Sequence, residues 1–156
     1  MIHQGLIAQL QAAHKFFATT TRCLEEADSA FAPDEHSYSV ASHVFHAAQS
    51  IDWFIDGMFS ETGFDMDFEK HIAEARACTS FEAAMSHFDR SVAAAAAILA
   101  SKTDAELMSL LPEDSILGPA PRLAVIGALV DHTAHHRGAL SVYARLIGKQ
   151  PAMPYA

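Results

Sequence analysis

The sequence predicts an all-α fold, a four-helix bundle formed as one domain over residues 1–156. Three observations lead there. Apolar residues recur at three- and four-residue spacing in four long stretches. Capping signatures, glycines and prolines punctuate those stretches. No strand pair, internal repeat, low-complexity tract or linker competes with them. With 156 residues, 51% of them apolar, the chain is long enough to bury a core without staples.

The first helix is expected from about His3 to Asp28, with Leu6, Leu10, Ala13, Phe17 and Leu24 near one face, before Ala32-Pro33-Asp34 breaks it. Ser39 is placed to cap a second helix that runs to about Phe59 and carries Val40, Val44, Ile51, Ile55 and Met58 inward. Gly63 ends that stretch. Phe64 to Phe68 alternates, and Glu69–Ala77 reads as a short helical connection between the second and third long helices, packed over one end of the bundle. Thr79-Ser80-Phe81-Glu82 reads as a capping box opening the third long helix, to about Ser101. Thr103-Asp104-Ala105-Glu106 repeats that signature before a short helix ending at Leu111. After the Pro112–Pro121 loop, Pro121 is expected at the first position of the fourth long helix, which Gly148 and Pro151 stop after about Ile147.

Charge narrows the function. The formal charge is −9, with 19 acidic against 10 basic residues, and no Lys/Arg cluster interrupts that balance. Nucleic-acid binding by phosphate neutralisation is therefore not expected. The longest apolar run, Val92 to Ala100, is far short of a membrane span. Met1-Ile-His-Gln-Gly-Leu6 does not read as a secretory signal. Cys23 and Cys78 are too few for a disulfide framework. The expectation is a cytoplasmic, soluble protein.

The chemistry-bearing stretch is Val130-Asp131-His132-Thr133-Ala134-His135-His136-Arg137-Gly138. His132 and His136 stand four apart on the stripe that carries Val125, Leu129, Leu140, Tyr143 and Ile147. Their Cβ atoms are then about 5–6 Å apart, which lets two ring nitrogens reach one metal ion at roughly 2.0–2.1 Å. Ten histidines in 156 residues give about 0.6 such pairs by chance, so the alternative of ordinary hydrogen-bonded histidines stays open. A third donor should come from a facing helix, where His43 and His46 both qualify. The helical wheel slightly favours His43, which lies beside the Val40/Val44/Ile51 stripe. Asp52, Glu82 and Asp89 are candidates to orient the rings, Arg137 to bind an anionic substrate, Asp131 to complement the site, and Trp53 and Tyr143 to line a pocket. Phe64–Glu69 and Pro112–Pro121 are candidates to cover the open end of the bundle.

Tyr38-Ser39-Val40-Ala41, His46-Ala47-Ala48 and Asp52-Trp53-Phe54 together resemble the second-helix motif of the DinB/YfiT-like metal-binding proteins. Asp131 to Gly138 followed by Tyr143-Ala144-Arg145-Leu146-Ile147-Gly148 is similar to their final-helix motif, and Pro151-Ala152-Met153-Pro154-Tyr155 to their tail. The resemblance covers nearly the whole chain. It implies a four-helix bundle whose metal ligands are His46, seven residues after the serine opening the second helix, with His132 and His136. His43 and His135 become neighbours. It also implies a homodimer and a divalent ion, zinc or nickel suiting an all-imidazole site. Two functions are then expected. One is a metalloenzyme acting on a small-molecule substrate, either a transferase or isomerase using a low-molecular-weight thiol or a hydrolase. The other is a non-catalytic, stress-associated metal-binding protein that works through dimerisation or a partner.

Overall fold

Ser39 opens α2 (Val40–Phe59) as its sequence suggests: its backbone is extended, and its hydroxyl accepts from the Ser42 amide at 3.1 Å. The computed structural model describes every residue except 114 and 156, so one position of the Pro112–Pro121 loop and the last residue lie outside it. Helices alone make up its named elements among the described residues. They are α1 (Ile2–Thr21), α2, α3 (Phe68–Ala77), α4 (Phe81–Ala100), α5 (Asp104–Met108) and α6 (Val125–Leu146), with two 3-10 turns at Glu26–Asp28 and Arg122–Ala124. None of these helices is long and apolar enough to cross a membrane.

The four long helices form a ring in which α1 packs on α4 and α6, and α2 packs on α4 and α6. Leu10 and Phe17 from α1, Ile51 and Met58 from α2, Phe88 and Leu99 from α4, and Ile126, Leu129 and Leu140 from α6 are almost wholly withdrawn from water. Each such side chain contributes roughly 1.5–3 kcal/mol of burial. Phe17 and Phe88 stack across the α1/α4 contact with ring centroids 4.3 Å apart. Polar burial has a different address. His43 and Ser50 on α2, and His136 on α6, are buried between two helices that pack on each other.

Four expected boundaries shift, each for a local reason. The first helix stops at Thr21 rather than Asp28. Glu25 is extended and forms its own capping box with Asp28, and acidic side chains are disfavoured at a helix C-terminus. The cap of α4 is Ser80 rather than Thr79, its Oγ accepting from the Ala83 amide. Glu82 does not close a box there; its amide donates to Glu26 Oε2 at 2.8 Å. That carboxylate lies on the positive end of the α4 dipole. The Thr103–Glu106 box forms in both directions, yet α5 ends at Met108 because Ser109 turns extended and Leu110 bridges to Pro121. Pro121 is itself extended and precedes a 3-10 turn, so α6 begins at Val125. Gly148 ends α6 in the left-handed region at φ 77, with the Lys149 amide donating back to Ala144 at 2.8 Å.

The connection α3 is amphipathic but shallow, burying only Ala75. It is anchored through Phe64, which lies against Gly57 of α2 where a Cβ would intrude on the phenyl ring. Gly57→Ala should therefore cost about 1–3 kcal/mol by overpacking, read as a lower urea midpoint. An unchanged midpoint would show that Phe64 has somewhere else to go.

Candidate metal centre

The spacing of His43, His46 and Ser50 along α2, at three and seven residues, puts all three on the face that meets α6. From α6, His132 and His136 approach from successive turns. Nε2 of His132 and Nε2 of His136 lie 2.9 Å apart. One ring nitrogen each from His46, His132 and His136 falls within 4.8 Å of the others. The ring centroids of His46 lie 4.8 Å from His136 and 5.5 Å from His132. These are the three residues the family resemblance implies, brought together from two helices; the helical wheel slightly favours His43 over His46.

Burial sets their charge. His136 is driven down to about 2, first by desolvation and then by the neighbouring imidazoles His132, His43 and His46. His132 falls to about 4, by burial and by His46 and His135, with exposed Asp131 opposing. Burial lowers His46 as well, the Gln49 side chain partly offsetting it. All three rings are therefore neutral at neutral pH, and a neutral imidazole is the form that ligates a metal. The donor spacing also fits an ion. Two nitrogens each about 2.05 Å from a shared cation are about 2.9 Å apart at a right angle and about 3.3 Å at the tetrahedral angle. His46 Nδ1 is buried with no hydrogen-bond partner. The three rings fit a divalent cation in charge state and chemistry, and the His132–His136 pair fits it in spacing.

His43 is near the cluster without joining it. Its Nε2 lies 2.8 Å from His136 Nδ1, on the far side of the His136 ring from the triad. If His136 donates that proton, its Nε2 is left as a lone pair facing His132. This is the arrangement by which a neighbouring acceptor fixes a ligand's tautomer. His43 is itself held edge-on by Tyr143 at 5.3 Å and Tyr38 at 5.9 Å. Ser50 sits on the other flank. Its hydroxyl donates to the His46 carbonyl at 2.7 Å and accepts from His132 Nε2 at 3.1 Å when that nitrogen carries the ring proton, a tautomer that a bound ion would reverse.

Several expected contributors are elsewhere. Asp52 pairs with His87 at 3.0 Å and Asp89 with His14 at 2.7 Å, and Glu82 is exposed at the start of α4. Arg137 lies over the Phe16 ring at 5.7 Å, in a groove between α1 and α6. Tyr143 packs on His43 and Phe31 rather than lining a cavity. Trp53 does line one, a cavity of about 260 Å³ whose wall includes His46 and His132. Phe68 and His71 of α3 share that wall. Phe68 falls within the Phe64–Glu69 segment that the sequence offers as a cover, whereas nothing in the sequence singles out His71 on its surface helix. The Phe64–Glu69 segment thus borders the site; the described residues of the Pro112–Pro121 loop do not line this cavity.

Helices in a ring, with imidazoles from two of them converging beside a cavity, define a four-helix bundle with a candidate three-histidine centre. The chain belongs to the DinB family, whose model matches residues 6–156. No curated protein matches it. The fold is similar to the crystal structure of a DinB-like protein from Bacillus cereus ATCC 10987, at 16% identity, covering 96% of this chain and 95% of that one, with a TM-score of 0.76.

His43 also makes the metal-free fold acid-sensitive. Burial and the surrounding histidines lower it from 6.5 to about 4. The unfolded chain therefore takes up this proton first as pH falls, so stability is complete above about pH 6.5 and declines toward pH 4. The loss from this one group is on the order of 3 kcal/mol. Urea midpoints of chelator-treated protein should accordingly be lower at pH 5.0 than at pH 7.5. Equal midpoints would mean that the ring is hydrated rather than buried.

Proposed function

We propose that the chain, acting as a single domain over residues 1–156, binds a divalent metal through His46, His132 and His136. The same reading makes it a metalloenzyme of the thiol-dependent transferase, isomerase or hydrolase type. The observation that carries the metal is the 2.9 Å approach of two neutral Nε2 atoms from successive turns of α6, with His46 facing them from α2. Zinc or nickel suits three imidazoles. Three protein donors leave at least one coordination position, which is the pattern of catalytic rather than closed structural sites.

A divalent ion held there supplies Lewis acidity, which depresses the pKa of a water or thiol that binds it. The protein's own groups do the rest. His43 holds the His136 ring so that Nε2 points into the cluster. Ser50 limits the swing of His132. Phe54, with its ring centroid 5.7 Å from His132, keeps bulk water from that side of the imidazole. The cavity beside the triad is where a substrate would meet the centre.

The fold itself should not depend on the ion, because the apolar core is assembled from all four long helices. Metal analysis is expected to find one ion per chain in the wild type and none in His46→Ala. His43→Ala should keep the stoichiometry while binding about 10–100-fold more weakly. EDTA should leave the helical circular dichroism intact. The assignment fails if His46→Ala retains its metal, and the catalytic part fails if no thiol or water-dependent turnover appears with any metal loaded.

A further inference from the structure

The cavity beside the triad has a composition that selects its occupant. Seven residues along α2 from His46, Trp53 forms one wall, with Phe54 and Phe68 completing an aromatic lining above His46 and His132. The indole is locked. Its Nε1 donates to the Asp65 carbonyl at 2.6 Å, and its ring meets Phe64 at 4.6 Å and Phe54 at 5.0 Å. Phe68 stands at the rim 6.2 Å from Trp53 and is 46% exposed, an aromatic face that a bound ring would cover.

Size is the first filter. An apolar cavity of about 150 Å³ accommodates benzene, and drug-sized ligands need roughly 300–1,000 Å³. At about 260 Å³, this cavity suits one ring with a short substituent. Hydrogen bonding is the second. Gln49 gives its Nε2 to Glu74 at 2.7 Å, and its buried Oε1 lies near enough to the His46 ring to favour protonation there without a hydrogen bond of good geometry. Both ring nitrogens of His71 are buried and unpaired as well, since Asp65 and Glu74 approach at 3.3 and 4.0 Å without hydrogen-bond geometry. A ligand O–H or N–H would satisfy a lining that otherwise carries unmet polar atoms. Charge is the third. The adjoining outer hollow shares Gln49, Trp53 and His71 with this cavity, and it carries Asp52, Asp56, Asp65 and Glu74 against the single cation Lys70.

We infer that this cavity is the substrate-recognition site of the centre and takes a compact, single-ring aromatic molecule bearing a hydroxyl or amino donor, and that in the metal-free chain its acidic mouth disfavours carboxylates. The assignment of the cavity to substrate rests on the metal-centre reading; its preference among ligands does not.

The experiment uses the full chain, zinc-loaded and chelator-treated in parallel, titrated with benzyl alcohol, benzylamine and benzoate. Trp53 is the only tryptophan in the sequence, so its emission reports occupancy directly. Benzyl alcohol and benzylamine should give saturable shifts in both forms. Benzoate should bind the metal-free chain at least about tenfold more weakly than benzylamine, because the mouth is acidic. Phe68→Ala, with helical circular dichroism retained, should weaken the first two by about fivefold. The inference is overturned if none of the three probes saturates, if benzoate matches benzylamine on the metal-free chain, or if Phe68→Ala changes nothing. Zinc uptake is measured separately by calorimetry. Loss of zinc binding alone removes the metal centre and leaves the ligand preference standing, whereas failed titrations with normal zinc uptake do the reverse.

Discussion

Burial of imidazoles between α2 and α6 is the constraint on which the rest of this molecule turns. A histidine in water is protonated through much of the mildly acidic range, and a protonated ring has no lone pair to share. Here the packing of two long helices removes His43, His132 and His136 from solvent far enough to keep them neutral. Crowding reinforces the effect, since each ring discourages protonation of the next. The same seam that could hold a cation is therefore a cost to the metal-free fold in acid, and the core on the other helix contacts must offset it.

The buried groups that hydrogen-bond the triad are uncharged, and Asp131 beside His132 faces water. Asp52, Glu82 and Asp89 are the carboxylates the sequence offers to orient the rings, yet Asp52 and Asp89 are engaged with His87 and His14. The hydrogen-bond contacts on His132 and His136 from outside the triad come instead from a hydroxyl and an imidazole, Ser50 and His43. A neutral partner accepts a proton-mediated contact without adding charge to a seam that is already poor in water. The bundle thus separates its electrostatics, with neutral groups inside and carboxylates in the hollow outside.

Much of this was legible before any coordinates. The four long helices follow from apolar periodicity, and the caps Ser39 and Thr103 lie where their side-chain chemistry places them. His132 and His136 fell on a core stripe by simple rotation along a helix. The choice between His43 and His46 did not. Both lie on the α2 face toward α6, and a three-residue offset decides which joins the triad and which sits behind His136. Family resemblance, rather than the wheel, pointed to His46. Boundaries failed where tertiary contacts intervene, as when Glu26 from a distant turn supplies the acceptor at the start of α4. His71, and the particular role of Phe68 within the Phe64–Glu69 segment, are not legible because they come from how α3 is laid against α2, which periodicity does not encode.

That placement of α3 separates two duties that many proteins must reconcile in one set of residues. The helix buries a single alanine, so it adds little to the hydrophobic interior, yet it furnishes the outer wall of the cavity. Related chains can therefore diversify this ten-residue segment with small thermodynamic penalty. Over evolutionary time, new ligand preferences can arise on an unchanged scaffold by redrawing one peripheral element.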